Sequence, residues 1–159
     1  METSKFSNNK NSDSHQKHKV FEKSLLVKFL GENPVFKIVD FLIDNKGIDL
    51  TKKDIIAINK KFSTGDFENE SSLNFSLEHS KHSIAWTKQL AYLIRSILID
   101  HVFVDGNKRS AYTLLLVFIE LNDWNIKEDR AVEIIKTLVL KKEKSIGNIQ
   151  RRIENAITK

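Results

Sequence analysis

Apolar residues recur at intervals of three and four in two stretches of the second half of the chain. They are Leu90, Leu93, Ile94, Ile97 and Leu98 in the first stretch, and Ala111, Leu114, Leu115 and Phe118 in the second. This spacing places the apolar side chains on one face of an α-helix. The pattern therefore predicts two buried helices joined by a short loop that is rich in charged residues.

The first 50 residues divide by composition into two segments. Residues 1–19 are mostly Ser, Asn, Lys and His, and we expect them to form a disordered polar tail. Residues 20–50 contain more apolar residues and predict a short N-terminal helical extension, with a helix that begins at Asn33-Pro34 and ends near Gly47. Thr51 followed by Asp54 is a variant of the capping box and predicts the start of the next helix.

Overall composition favours one helical domain. The chain has 159 residues, 40% of them hydrophobic, with one Pro and five Gly, which suits an all-α fold better than a turn-rich β fold. It contains no cysteine, which excludes disulfides and thiolate metal sites and fits a reducing compartment. We find no apolar run long enough to span a membrane and no signal-peptide pattern, so the expected location is the cytoplasm.

The C-terminal part of the chain is basic. Its cations are Lys136, Lys141, Lys142, Lys144, Arg151, Arg152 and Lys159, against only three Glu residues. Such a surface could attract nucleic acid or an acidic protein segment. Because Ile146, Ile149, Ile153 and Ile157 supply a buried stripe, we favour a solvated face of the last two helices.

The loop between the two buried helices carries the candidate chemistry. Gly106 and Asn107 lie where a helix begins, so orphan backbone N–H groups should point outward and favour an anion. Lys108 and Arg109 add positive charge, and a guanidinium can bind two phosphate oxygens at once. Asp105 is a suitable Mg²⁺ ligand, because Mg²⁺ is commonly held by one or two carboxylates and substrate phosphates.

His101 lies just before this group, and because histidine is the commonest general base in enzymes, it could accept a proton from an attacking hydroxyl. Phe103, between two valines, should anchor the loop to the core. Together these residues predict a phosphoryl- or nucleotidyl-transfer site in which positioning and electrostatics provide most of the catalysis.

The nine residues resemble the motif of the Fic/Doc (Fido) family, His-x-Phe-x-Asp/Glu-Gly-Asn-Gly/Lys-Arg. Every defined position is filled by the run His101-Val102-Phe103-Val104-Asp105-Gly106-Asn107-Lys108-Arg109. The resemblance implies binding of ATP and Mg²⁺ and modification of a Ser, Thr or Tyr hydroxyl on another protein. It makes His101 the general base, Asp105 the metal carboxylate, and Gly106, Asn107, Lys108 and Arg109 the phosphate-binding residues.

From residue 51 to the C-terminus the order of elements is similar to compact Doc-like (death-on-curing) members. Residues 54–62 resemble their first helix, residues 63–71 a small β-hairpin-like flap beside the substrate, and residues 73–77 the start of the next helix. The resemblance thus implies a mostly helical Fido catalytic domain over residues 51–159.

Two positions distinguish between the branches of this family. Adenylylating Fic enzymes usually have a second Gly after the Asn and a second Arg three residues after the first, where this chain has Lys108 and Tyr112. Doc-like proteins share the Lys and are thought to transfer the terminal phosphoryl group. We therefore expect phosphorylation, with adenylylation as the alternative. Doc-like relatives are toxins that target the translation machinery, which implies a protein substrate of that kind and an antitoxin partner.

A second, weaker resemblance concerns the N-terminal extension. Residues 31–45 are similar to the opening of archaeal winged helix-turn-helix regulators, and residues 50–55 fit the second helix of such a unit. A recognition helix should follow at once, but the flap-like segment follows instead. We expect the extension to pack on the catalytic domain and disfavour DNA as a partner. A non-catalytic DNA- or partner-binding protein remains the competing hypothesis.

Overall fold

The computed structural model describes residues 50–81 and 84–159. The expected tail and all but the last residue of the N-terminal extension, including most of its regulator-like segment, lie outside the described residues. The elements are α1 (Lys52–Asn59), α2 (Glu70–Ser80), α3 (Trp86–Leu98), α4 (Asn107–Leu121), β1 (Asn125–Ile126), α5 (Glu128–Lys141), α6 (Ile146–Glu154) and β2 (Ile157–Thr158). The prediction of a mostly helical protein is confirmed for this part of the chain.

Helix α4 is the centre of the core. Every residue from Ser110 to Ile119 is buried, and a helix that is covered on all sides must lie among other elements. Helices α1, α3 and α5 pack around it, and α3 packs in turn against α2 and α6. The two helices predicted from the apolar spacing are α3 and α4. None of the helices within residues 50–81 and 84–159 is both long enough and apolar enough to cross a bilayer.

Helix α1 begins with the predicted capping box. The Thr51 N–H donates to the Asp54 carboxylate at 2.7 Å, and the Asp54 N–H donates to Thr51 Oγ1 at 3.4 Å. The helix ends at Asn59, three residues before the predicted end. Residues 60–62 continue as a turn because the buried Asn59 side chain binds the N–H of Gly65 and draws the chain back.

The flap-like segment differs from the predicted β-hairpin. Its last two residues belong to α2, which begins at Glu70 with Asn69 as the N-cap. The remainder pairs with the loop before α4, through an antiparallel bridge between Phe67 and Phe103. The prediction of a hairpin was wrong, because the backbone groups of this segment form hydrogen bonds with the motif loop and not with one another. One such bond joins the Val104 N–H to the Asp66 carbonyl at 3.0 Å.

The small sheet lies elsewhere, at the C-terminus, and was not predicted. Strand β1 pairs antiparallel with β2, Asn125 opposite Thr158 and Ile126 opposite Ile157. The predicted isoleucine stripe is correct only in part, because Ile149 and Ile153 are fully buried whereas Ile157 belongs to β2 and is partly exposed. Strands of two residues are too short for alternation to reveal them.

Candidate functional site

The start of α4 is shaped by Gly106. This residue is the N-cap and adopts a left-handed conformation with φ +78°. The first backbone bond of the helix runs from the Ser110 N–H to the Gly106 carbonyl at 2.9 Å. The N–H groups of the three residues before Ser110 are therefore outside the helical ladder and point away from the helix start.

Space as well as conformation requires glycine at this position. A Cβ atom on Gly106 would lie 3.0 Å from Asn59 Nδ2 and 3.3 Å from Ser63 Cβ. Both contacts are tighter than ordinary van der Waals packing. The helix start thus sits directly on α1 and on the beginning of the flap-like segment.

Asn107 uses its side chain to hold the loop. Its Oδ1 accepts from the Phe103 N–H at 3.0 Å, and its Nδ2 donates to the Phe103 carbonyl at 2.7 Å. Phe103 itself is 1% exposed and stacks on Phe67, with ring centroids 5.4 Å apart. What Asn107 can offer an anion is therefore its backbone N–H, while Phe103 lies beneath the loop as expected for an anchor.

Asn59 is a residue that sequence reasoning missed. It is completely buried, and its Nδ2 donates to the Asp105 carbonyl at 2.9 Å and to Ser110 Oγ at 3.0 Å. Its Oδ1 accepts from the Gly65 N–H at 3.0 Å. One amide thus links α1, the flap-like segment, the motif loop and α4. An asparagine that ends a run of Ile and Ala was the available signal.

His101 is exposed at the entrance of the loop and has a positive φ of 51°. The residue before it is fixed, because Asp100 accepts from Ser72 Oγ at 2.6 Å and lies 3.5 Å from the Arg95 guanidinium. The residue after it, Val102, is fully buried. The backbone on both sides of His101 is therefore held in place, and its imidazole faces accessible space.

Asp105 and Arg109 form a loose, exposed pair. Arg109 Nη2 lies 3.9 Å from Asp105 Oδ2, with the two side chains 50% and 72% exposed. The guanidinium also lies over the ring of Phe62, 5.4 Å from its centroid. Both charged groups are within reach of a ligand, and Phe62 limits the directions in which Arg109 can point.

A cleft of about 730 Å³ brings the predicted polar residues together. Its lining includes His101, Asp105, Gly106, Asn107, Lys108 and Arg109. The lining also includes Val139, Lys142 and Lys144, from the end of α5 and the loop that follows. Two cations that we had assigned to a solvated face therefore lie beside the motif. Sequence spacing did not reveal this, because the motif and the α5–α6 loop are more than thirty residues apart.

Metal binding at this site would depend on the ligand. Within residues 50–81 and 84–159, no group of three or more His, Cys, Asp or Glu side chains is placed to hold a metal ion. Among these described residues, Asp105 is the one carboxylate that lines the cleft. This donor set fits Mg²⁺ bound through one carboxylate and the phosphates of a nucleotide, and does not fit a resident metal.

Tyr112, at the position of the second Arg in the adenylylating Fic pattern, is 3% exposed and belongs to the core. Burial, with a smaller contribution from Glu128, raises the pKa of its phenol. The side chain is not part of the cleft lining. The second cation of the adenylylating pattern is therefore missing, and its position on α4 faces the protein interior.

Comparison with known proteins returned no family model, no curated protein and no solved structure that matches this chain. The Fic/Doc resemblance accordingly rests on the nine-residue motif and on the order of elements around it.

Proposed function

We propose that this protein is a Fic/Doc-type transferase that moves the terminal phosphoryl group of ATP onto a hydroxyl of another protein. The observation that carries the proposal is the single cleft in which an exposed imidazole, a carboxylate, a helix N-terminus and several cations meet. Anions are favoured at a helix N-terminus, and the motif resemblance supplies the reaction class.

The phosphate chain would be bound at the start of α4. The free backbone N–H groups after Gly106 donate to phosphate oxygens, and Arg109 and Lys108 contribute charge. Asp105 would hold Mg²⁺ together with those phosphates, and the metal would neutralise charge that develops on them. Asn59 and Asn107 fix the loop backbone next to the free N–H groups, so these backbone donors need little reorganisation during the reaction.

His101 would act as the general base. The hydroxyl oxygen of the target attacks the terminal phosphorus, the bond from that phosphorus to the bridging oxygen breaks, and ADP leaves. The hydroxyl proton passes to the imidazole. Exposure of His101 supports this role, because the hydroxyl of a protein substrate has to reach it from outside.

Two features favour phosphorylation over adenylylation. Lys108 occupies the place of the second small Gly of adenylylating relatives and lines the cleft. Tyr112 occupies the position of the second Arg, and its side chain is buried in the core. Adenylylation remains the second candidate because Gly106 and Asn107 fit both branches of the family.

The biological setting follows from the resemblance alone. We propose a cytoplasmic toxin that acts on the translation machinery and is restrained by an antitoxin. The flap-like segment, residues 63–69, is paired with the motif loop and is the natural surface for presenting a target hydroxyl.

Labelled ATP tests the reaction. The protein would be incubated with cell lysate and ATP labelled at either the α- or the γ-phosphate, with His101→Ala as the blank. We expect protein labelling from the γ position alone. Labelling from the α position would establish adenylylation. Labelling no greater than that of His101→Ala from either position would favour the non-catalytic hypothesis.

A further inference from the structure

The cleft has a second wall that the motif does not include. It consists of Val139, Lys142 and Lys144, which line the same cleft as His101 and the start of α4. Both lysines are exposed. The motif supplies Lys108 and Arg109, so the cations of the cleft come from two separate parts of the chain.

These lysines are not neutralised by the described part of the protein. No carboxylate within residues 50–81 and 84–159 lies within ion-pair distance of Lys108, Lys142 or Lys144. Glu143, between the two loop lysines, is engaged elsewhere. Its Oε1 accepts from the Ser145 N–H at 2.9 Å and its Oε2 from Asn148 Nδ2 at 3.2 Å, at the start of α6.

The backbone at Lys142 is unusual for a lysine. Its φ of 48° and ψ of 46° are left-handed, and the Glu143 N–H bonds back to the Leu138 carbonyl at 3.1 Å. This is the helix ending that Gly or Asn normally provides. A lysine is less suited to this conformation, and residues in unfavourable backbone conformations cluster at functional sites, so Lys142 at the cleft points to a binding role for its side chain.

We propose that Lys142 and Lys144 bind the phosphate chain of the nucleotide, so that the site selects nucleoside triphosphates over monophosphates. The inference rests on the proposed function and adds its second phosphate-binding wall. The cleft is of the size typical for small-molecule sites. The lysines share it with backbone N–H groups and Arg109, which suit compact phosphate groups, so a polyphosphate fits better than an acidic protein segment.

The test compares two charge-matched double variants. Lys142→Ala/Lys144→Ala removes both cleft lysines, whereas Lys136→Ala/Lys141→Ala removes two exposed lysines of α5 that do not line the cleft. Binding of ATP, ADP and AMP would be measured by calorimetry in the presence of Mg²⁺. We expect the cleft variant to bind ATP about tenfold more weakly, since the loss of hydrogen bonds to charged groups typically lowers affinity by about that factor. Its AMP affinity should change less than about twofold, and the control variant should resemble the unmodified protein.

Each outcome separates the two proposals. If the unmodified protein binds ATP and both double variants bind it equally well, the lysine assignment is wrong and the proposed function stands. An equal loss of affinity for ATP and AMP would also overturn the lysine assignment, because the lysines would then not distinguish a long phosphate chain from a single phosphate. If a poly-glutamate peptide binds the unmodified protein more tightly than ATP through the same lysines, they belong to an acidic protein interface. Failure of the unmodified protein to bind ATP would overturn the proposed function at the first titration.

Discussion

The two walls of the cleft are built in different ways. The motif wall, residues 101–109, is fixed by partly buried hydrogen bonds from Asn59 and Asn107 and by the stacked ring of Phe103. The α5–α6 wall, residues 142–144, has its backbone fixed by the end of α5 but places exposed lysine side chains in the cleft. The rigid motif wall suits the reaction steps that need precisely placed groups. The α5–α6 wall suits electrostatic attraction of a charged ligand, which does not need fixed side chains.

The largest effect on stability should come from the buried amide of the motif wall. Asn59→Ala removes three hydrogen bonds and leaves buried partners unsatisfied, so we expect the free energy of unfolding to fall by about 3 kcal/mol. Asn74→Ala, at an exposed position of α2, should change it by less than about 0.5 kcal/mol. Urea denaturation of both variants measures the difference. Equal stability of the two would show that Asn59 does not hold the wall together.

Glycine substitutions should give opposite signs at two helix positions. Gly106→Ala combines a positive φ with tight contacts to Asn59 and Ser63, and should destabilise by about 2 kcal/mol. Gly147→Ala lies in the first turn of α6, where the added Cβ would meet no atom within 4 Å beyond its chain neighbours and its own helix backbone, and should stabilise by about 0.5 kcal/mol. Thermal unfolding would report both. If Gly106→Ala is neutral, the left-handed start of α4 is not required.

On the second wall, stability and binding should move in opposite directions. Lys142→Gly relieves the left-handed conformation and should raise the free energy of unfolding by about 0.5–1 kcal/mol. The same change should weaken ATP binding, because it removes one cleft cation. A variant that is both less stable and unchanged in ATP affinity would contradict the assigned role of this wall.

The smallest effect concerns acid sensitivity at α6, the helix that follows the second wall. Hydrogen bonds from Thr87 and Gln150 lower the pKa of Glu154 below its usual 4.5. A carboxyl with a lowered pKa in the folded state stabilises the fold above its ordinary pKa, and this contribution is lost as pH falls through the lowered value. Thr87→Val should therefore reduce the loss of stability between neutral pH and acid. Unfolding curves for the unmodified protein and Thr87→Val at pH 7 and below pH 4 would measure this difference. An equal loss of stability in the two proteins would contradict the prediction.

The sequence revealed what is local and missed what depends on distant contacts. The apolar spacing identified α3 and α4, and Thr51 with Asp54 identified the start of α1. These signals lie within one or two helical turns. Asn59 was missed because its partners are about fifty residues away in the chain. The lysines of the second wall were noticed as charge but not as part of the cleft, for the same reason.

The flap-like segment shows the same limit in another form. A hairpin was expected because the segment resembles the flap of Doc-like proteins, yet its backbone groups pair with the motif loop. The partner of a short extended segment is set by the packing of the helices on either side of it. Strands β1 and β2 are likewise separated in the chain by α5 and α6, so their pairing leaves no local signal in the sequence.

The central claim is that the cleft carries out phosphoryl transfer with His101 as its base. The most direct test measures ATP affinity and transfer of γ-labelled phosphate side by side for the unmodified protein and His101→Ala. The account predicts ATP affinity within about twofold and a loss of transfer of about a hundredfold or more. Equal rates of transfer by the two proteins at equal ATP affinity would contradict it.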